Sequence, residues 1–553
     1  MNNMFKNHNY KFLVITFLLT TFFTASAQKK KSEPIASKPK LVVGIVVDQM
    51  KVEYLFRYAQ KFGNNGFKRL LNEGFFCENT NYNYVPTFTG PGHACVYTGA
   101  TPSSNGIIAN DWFQRNTNDT MYCTDDHLVN SVGTNSDAGK MSPKNLLTTT
   151  ITDELRISNN FKSKVIGIAL KDRGAILPAG QSANAAYWFD GSNGNWITSS
   201  YYMNELPAWV NNFNALKYPE KYLSEQWKTL LPIEQYTEST ADDNAYEESF
   251  KGESKPIFPH DIPTLKGKNF DILRKIPSGN TFTKDFAIAA LKAENMGKGT
   301  VTDFLAVSFS STDYVGHQFG TNAIETEDTY LRLDNDIADL LKFLDETYGK
   351  NNVLVFLTAD HGAIQNVTYL HDHKIAAKTF NSKSIADILS IQLKNKFGEE
   401  ALVSSVINDQ VYLNHNLIAD KKLNLEEVQK TTASILLELD GVANTLTATQ
   451  FSNSQFTEGT SSKIQHGFYK KRSGDVMIIL EPGLVEYKKT GTTHGSGNNY
   501  DTHVPLLWYG WNISNGKTAK PFNVVDIAAT LASMLHIEFP SGCTGKPIDA
   551  LVK

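Results

Sequence analysis

From Leu41 onward, continuous apolar runs alternate with amphipathic stretches. LVVGIVV (41–47) has no polar face, which suits a strand buried on both sides rather than one with a wet side. SKVIGIAL before Lys171, DFLAVSFS from Asp303, VLVFLT before Ala359 and VPLLWYG (504–510) share that character. Between them lie helical periodicities. GFKRLLNEG (66–74) is a short amphipathic helix bounded by glycines, and VVDIAATLASML (524–535) is a longer one. Strand–helix alternation of this kind predicts an α/β fold built on a doubly wound, mostly parallel sheet.

Two stretches interrupt the alternation. Residues 174–300 are rich in asparagine and aromatics, including Trp188, Trp196, Trp209 and Trp227, and are expected to form a cap. Residues 368–487 carry QVYLN, a helical pattern over Leu425–Leu439 and DVMIIL, which predicts a small α/β subdomain. The chain therefore reads as one catalytic domain, 41–553, with two insertions.

The first residues follow a different rule. Lys6 and Lys11 precede an apolar run from Phe12 to Phe23, followed by Ala25-Ser26-Ala27. This is the pattern of a cleavable signal peptide, 1–27, too short for a membrane span. Residues 28–40, with Lys29-Lys30-Lys31, are expected to be a flexible leader. No later segment is long and apolar enough to span a bilayer, so a periplasmic or secreted protein without a transmembrane segment is expected.

Composition narrows the function classes. Of 553 residues, 41% are hydrophobic and 20% charged, with Lys+Arg 53 against Asp+Glu 57 and a net charge of −4. No basic domain is present, so no nucleic-acid partner is expected. The acidic group Asp242, Asp243, Glu247, Glu248 and Glu253 reads as a solvated loop. Cys77, Cys95, Cys123 and Cys543 leave one or two disulfides open in an oxidising compartment, against four buried thiols.

Three apolar runs end in aspartate: at Asp48, at Asp313 and at Asp360. His317 lies four residues after Asp313, and His361 directly follows Asp360. Carboxylates and imidazoles delivered by separate strand ends suit a zinc-like metal. A further ligand is needed. His494, in the GTTHGSG loop, is the candidate; His503 competes, and next to the strand it is expected to pack beside the site.

A nucleophile is sought in VPTFTGPGHACVYTG (85–99). Thr89 stands before Gly-Pro-Gly and a helical segment, where it would cap the helix and face an anion. Thr87 is an alternative that the residues alone do not separate. Lys171 and Arg173, two apart, would project from one side of an extended chain and offer cations to phosphate. Asn110 could donate its amide to a phosphoryl oxygen.

Taken together, VVDQM, PTFTGPGH, GIIANDWF, KDRGAILPAG, SSTDYVGHQFG, TADHG, THGS, YDTHVPLL and SGCTGKPI resemble the alkaline phosphatase superfamily. The nearest likeness is to PafA-type bacterial alkaline phosphatases, relatives of nucleotide pyrophosphatases/phosphodiesterases. The resemblance implies two zinc ions, one held by Asp313, His317 and His494, the other by Asp48, Asp360, His361 and Thr89. It implies Thr89 as nucleophile, and Asn110, Lys171 and Arg173 as ligands of the phosphoryl oxygens. The expected enzyme is an exported, monomeric phosphate monoesterase acting on small organic phosphates through a phosphothreonine. A phosphodiesterase with the same metal pair is the alternative, which Lys171 and Arg173 disfavour. TGPGH is not a sulfatase motif, and a passive phosphate- or metal-binding protein would need no hydroxyl nucleophile.

Overall fold

The computed structural model describes residues 38–486 and 489–552, without the side chain of Lys383. The expected signal peptide and most of the leader lie outside the described residues.

The main sheet is built from apolar runs. β1 (Leu41–Val47), β2 (Phe75–Asn81), β3 (Val165–Ala169), β4 (Ala185–Asp190) and β5 (Asn195–Ser199) come first. β6 (Asp303–Phe309) and β7 (Val353–Thr358) follow. The inserted subdomain supplies β8 (Val403–Ile407), β9 (Gln410–Leu413), β10 (Val442–Thr447) and β11 (Val476–Leu480). β12 (Leu506–Gly510) and β13 (Gly516–Asn523) complete the set. Along the sheet the order is β2-β12-β7-β1-β6-β3-β4-β5, with β13 beside β2 and two-residue strands at either end.

Neighbours from β7 to β4 are all parallel. β12 is antiparallel to β7, and β5 is antiparallel to β4. Every residue of β1 is buried, as its unbroken apolar run requires. Gly44 in its middle is forced by close packing: a Cβ there would lie 2.6 Å from the Phe356 ring.

Both ends of the stretch 174–300 join the main α/β layer. β4 and β5 lengthen the main sheet, and the helix Ser278–Ala293 packs on β6 as a crossover. Of their apolar inward residues, Trp196 stacks on Phe286 of that helix, and Tyr187 and Phe189 meet Phe286 and Phe282 edge to face. The more irregular part lies between, over 200–277.

Subdomain strands form a separate antiparallel sheet, β8-β9-β11-β10, with its own apolar core. Its helix runs Leu425–Leu437. All four cysteines are free thiols; three are buried. The acidic group is only partly solvated: Asp243 and Glu248 are exposed. Glu247 is buried, and Glu253 ion-pairs with buried His260, which also meets buried Glu325.

Candidate active site

Four adjacent parallel strands deliver the site. In sheet order, β7 ends at Asp360 and His361, β1 at Asp48, β6 leads to Asp313 and β3 leads to Lys171. Side chains beyond the carboxyl ends of such strands converge on one crevice.

Local structure differs from a simple strand-end picture in three places. β6 stops at Phe309, and Asp313 sits in the first turn of the helix Ser311–Phe319. The i,i+4 spacing places His317 on the same helix face, its Nε2 3.2 Å from Asp313 Oδ1. Lys171 and Arg173 do not share an extended segment. Lys171 precedes the helix Asp172–Ala179, and Arg173 lies in its first turn. Thr89 is not a cap: the helix Thr89–Thr98 begins with it, Phe88 holds the cap position and no side chain caps the helix. The Thr89 hydroxyl is therefore not consumed by backbone N–H groups. Gly92 lets this helix meet the end of β7, since a Cβ there would fall 2.4 Å from the Asp360 carbonyl.

Lys171 is the charge at the centre. Its Nζ lies 2.6 Å from Asp48 Oδ2 and 2.6 Å from Asp313 Oδ2, and it donates to Thr89 Oγ1 at 3.4 Å. Burial opposes its charge, but Asp313 and Asp48 outweigh burial and hold the ammonium protonated. The Thr87 hydroxyl, by contrast, donates to the Ser496 carbonyl at 2.9 Å. Of the two candidate threonines, only Thr89 faces the charged cluster.

The imidazoles share one arrangement. Nδ1 of His317 donates to the Thr492 carbonyl, Nδ1 of His361 to that of Gly362, and Nδ1 of His494 to that of Thr87. A carbonyl can only accept, so each Nδ1 carries a proton, and in a neutral ring Nε2 then keeps its lone pair. All three Nε2 atoms turn toward carboxylates. His494 Nε2 is 3.7 Å from Asp313 Oδ1, and His361 Nε2 is 3.6 Å from Asp48 Oδ1 and 3.5 Å from Asp360 Oδ2. The His361 and His494 rings stack with centroids 3.4 Å apart. Burial, reinforced by neighbouring His317, lowers His494 to about 3; burial and His494 hold His361 well below its ordinary value. Both rings are neutral, the form that ligates a cation.

The carboxylates show the complementary strain. Burial pushes Asp48 up to about 6, with Lys171 opposing and Asp313 adding. Asp360 is also raised by burial and by Asp48. Asp48 Oδ1, Asp360 Oδ2 and His361 Nε2 have no hydrogen bond, and Asp48 Oδ2 meets the Lys171 ammonium. Buried polar atoms left this way need a cation. Two ligand groups fit one: Asp313, His317 and His494; and Asp48, Asp313 and His361. Asp313 belongs to both groups. Asp360 stands beside the second group, its Oδ1 accepting from the Gln49 amide N–H at 3.1 Å. His503 is elsewhere; its Nε2 donates to the Glu78 carbonyl.

Around Thr89, Asn110 accepts from the Gly90 N–H at 2.8 Å with its carbonyl oxygen. That bond fixes which end of the amide is oxygen, and leaves its NH₂ as a donor. Arg173 donates from Nη1 to the Tyr122 hydroxyl at 2.9 Å, and Tyr122 donates to Asp172 at 2.7 Å.

Four supporting residues escape a reading of the sequence. Gln49 donates from Nε2 to Asp313 at 2.7 Å from a backbone with φ +63°. His93 bridges the Thr89 carbonyl and Ser308. Tyr122 positions Arg173. Asp501 accepts from the N–H groups of Gly495 and Ser496 and so holds the loop that carries His494. Only Gln49 had a sequence signal, its place directly after Asp48.

Comparison with known proteins adds an independent line. A family profile for type I phosphodiesterase / nucleotide pyrophosphatase matches residues 42–504. A Myroides odoratus protein named calcium-transporting ATPase is 49% identical over 550 residues, covering 99% of this chain and all of its own. Alkaline phosphatase PhoV of Synechococcus elongatus is 46% identical over 550 residues, 98% of this chain and all of its own. A crystal structure of wild-type alkaline phosphatase PafA superposes with a TM-score of 0.91 at 44% identity, covering 94% of this chain and all of that one.

Proposed function

The chain belongs to the type I phosphodiesterase / nucleotide pyrophosphatase family, and we propose that within it the protein is an alkaline phosphatase that hydrolyses phosphate monoesters through Thr89. The observation that carries this reading is the Thr89 hydroxyl, at the start of a buried helix and 3.4 Å from Lys171 Nζ.

Two zinc ions fit the donor set: Asp313, His317 and His494 would hold one, and Asp48, Asp360, His361 and Thr89 the other, with Asp313 within reach of both. Bound there, they would lower the pKa of the threonine hydroxyl and offset charge on the attacking and departing oxygens. Lys171, Arg173 and the Asn110 amide orient the phosphoryl group. Thr89 Oγ1 forms a bond to phosphorus, losing its proton, as the bond to the alcohol oxygen breaks and the alcohol takes up a proton. Water then cleaves the phosphothreonine, which releases inorganic phosphate and restores Thr89. The two cations supply what a dianionic monoester needs and a monoanionic diester does not.

The transport named for the Myroides protein has no counterpart in this site; among the described residues no helix is long and apolar enough to cross a membrane. Export by the signal peptide 1–27 completes the reading, and the amino terminus of the protein recovered from the periplasm or medium tests it. Turnover of p-nitrophenyl phosphate, compared with its bis ester and repeated after chelation and zinc return, tests the activity. Faster hydrolysis of the diester would overturn the monoesterase reading.

A further inference from the structure

A cleft of about 550 Å³ runs from the active site to the inserted subdomain, within the range of small-molecule sites. Its inner end reaches His494 and Phe88, the residue before Thr89. Its outer wall is the face of β8 and β11, with Ile407, Met477 and Ile479. The two parts are joined where they flank the nucleophile. The β8–β9 turn is a two-residue loop, Asn408 and Asp409, with φ of +54° and +55°, the geometry of a type I′ hairpin. Asn408 donates from Nδ2 to the carbonyl of Asp111, next to Asn110, at 2.6 Å. The hairpin tip is thereby fixed beside the phosphoryl site.

The charge of the cleft is one-sided. Asp409, Glu481, Glu486 and Asp501 line it, and among the described residues no lysine or arginine does. Among the described residues, none makes a hydrogen bond or ion pair with the Asp409 carboxylate. Asp409 is half-buried, and burial of its carboxyl, with Glu486 nearby, pushes it up to about 7.

We propose that this cleft receives the alcohol half of the substrate, and that Asp409 favours an alcohol carrying an ammonium group over a neutral or anionic one. The proposal rests on the phosphatase reading of the site and adds the substrate class. The apolar wall accommodates the alkyl part of such an alcohol. The acidic lining repels alcohols that carry further phosphates.

The test compares kcat/KM on an ω-aminoalkyl phosphate with that on the alkyl phosphate of equal chain length, across a series of lengths. Because both substrates are measured on one enzyme preparation, any loss of folded protein cancels in the ratio. In the wild-type protein the amine is expected to be favoured about fivefold at the best length, the scale of one partly exposed ion pair. Asp409→Asn, which suits the left-handed turn as well as aspartate does, is expected to bring the ratio close to unity. A wild-type ratio at or below unity at every length overturns the proposal, whatever the variant does. An unchanged ratio in Asp409→Asn also overturns it. Failure of the wild type on both esters would instead remove the phosphatase reading on which it stands.

Discussion

Two buried clusters of acids and imidazoles lie in this molecule, and they use their histidines in opposite ways. At the strand ends, His317, His361 and His494 give their Nδ1 protons to backbone carbonyls and turn their Nε2 atoms toward Asp48, Asp313 and Asp360, those of His361 and His494 from neutral rings. In the second cluster, His260 gives one ring proton to Glu253 at 2.7 Å and the other to Glu325 at 3.1 Å. The first cluster leaves buried oxygens and a ring nitrogen without hydrogen bonds. The second pairs both ring nitrogens of His260 within the protein, although Glu247 Oε2 and Glu325 Oε2 have no hydrogen bond. Burial would lower His260, but its two carboxylates outweigh this and raise it to about 9, while His494 falls to about 3. The contrast separates a cluster prepared for a cation from one that holds structure. Density of charge does not distinguish them; the partner of each Nδ1 does.

The comparison breaks most visibly at Thr89. Thr89→Ala is expected to lower kcat/KM on p-nitrophenyl phosphate by about 10³-fold or more, as loss of a nucleophile does, while bound metal falls by no more than its hydroxyl ligand accounts for. Glu325→Gln, in the other cluster, is expected to leave metal content and turnover of the folded protein intact. It removes one of two carboxylates on His260 and leaves Glu253, so it should cost about 1.5–3 kcal/mol in denaturant unfolding. Equal effects of both substitutions on activity would erase the distinction.

The pH dependence sharpens it next. His260 is fully buried, and its folded-state value of about 9 lies above the ordinary 6.5. A raised imidazole contributes stability that is fully present below pH 6.5 and is lost as pH rises through about 9. The difference in unfolding free energy between wild type and His260→Gln should therefore shrink by about 3 kcal/mol between neutral and strongly alkaline pH. A difference that grows with pH would refute the assignment. The smallest effect is expected from Tyr122→Phe, which removes the hydroxyl that positions Arg173. About a three- to tenfold loss on monoesters, with less on diesters, corresponds to one ordinary net hydrogen bond; equal loss on both would deny Tyr122 that role.

Much of the frame was legible before the fold. The apolar runs of β1, β3, β6 and β7 are strands because nothing polar interrupts them, and Asp48 and Asp360 follow directly from their ends. Asp313 was legible as a residue but not as a position, because Ser-Ser-Thr-Asp after β6 reads equally as strand or helix start. Lys171 and Arg173 were legible as a pair, yet the helix between them changes how each is aimed. Residues 174–300 hid β4 and β5, whose pairing is decided by distant strands rather than by local pattern. The acidic group around Glu247 looked solvated because its partner, His260, and Glu325 come together only through tertiary packing. The atoms that set the imidazole tautomers, the carbonyls of Thr87, Thr492 and Gly362, belong to backbone that no side-chain motif records.

Metal content per chain is the most direct test that the strand-end cluster is prepared for cations. The wild-type protein, purified and equilibrated with zinc, should carry two ions, and His494→Ala should carry one. A wild-type chain that binds none, or a His494→Ala chain that still binds two, would contradict the account.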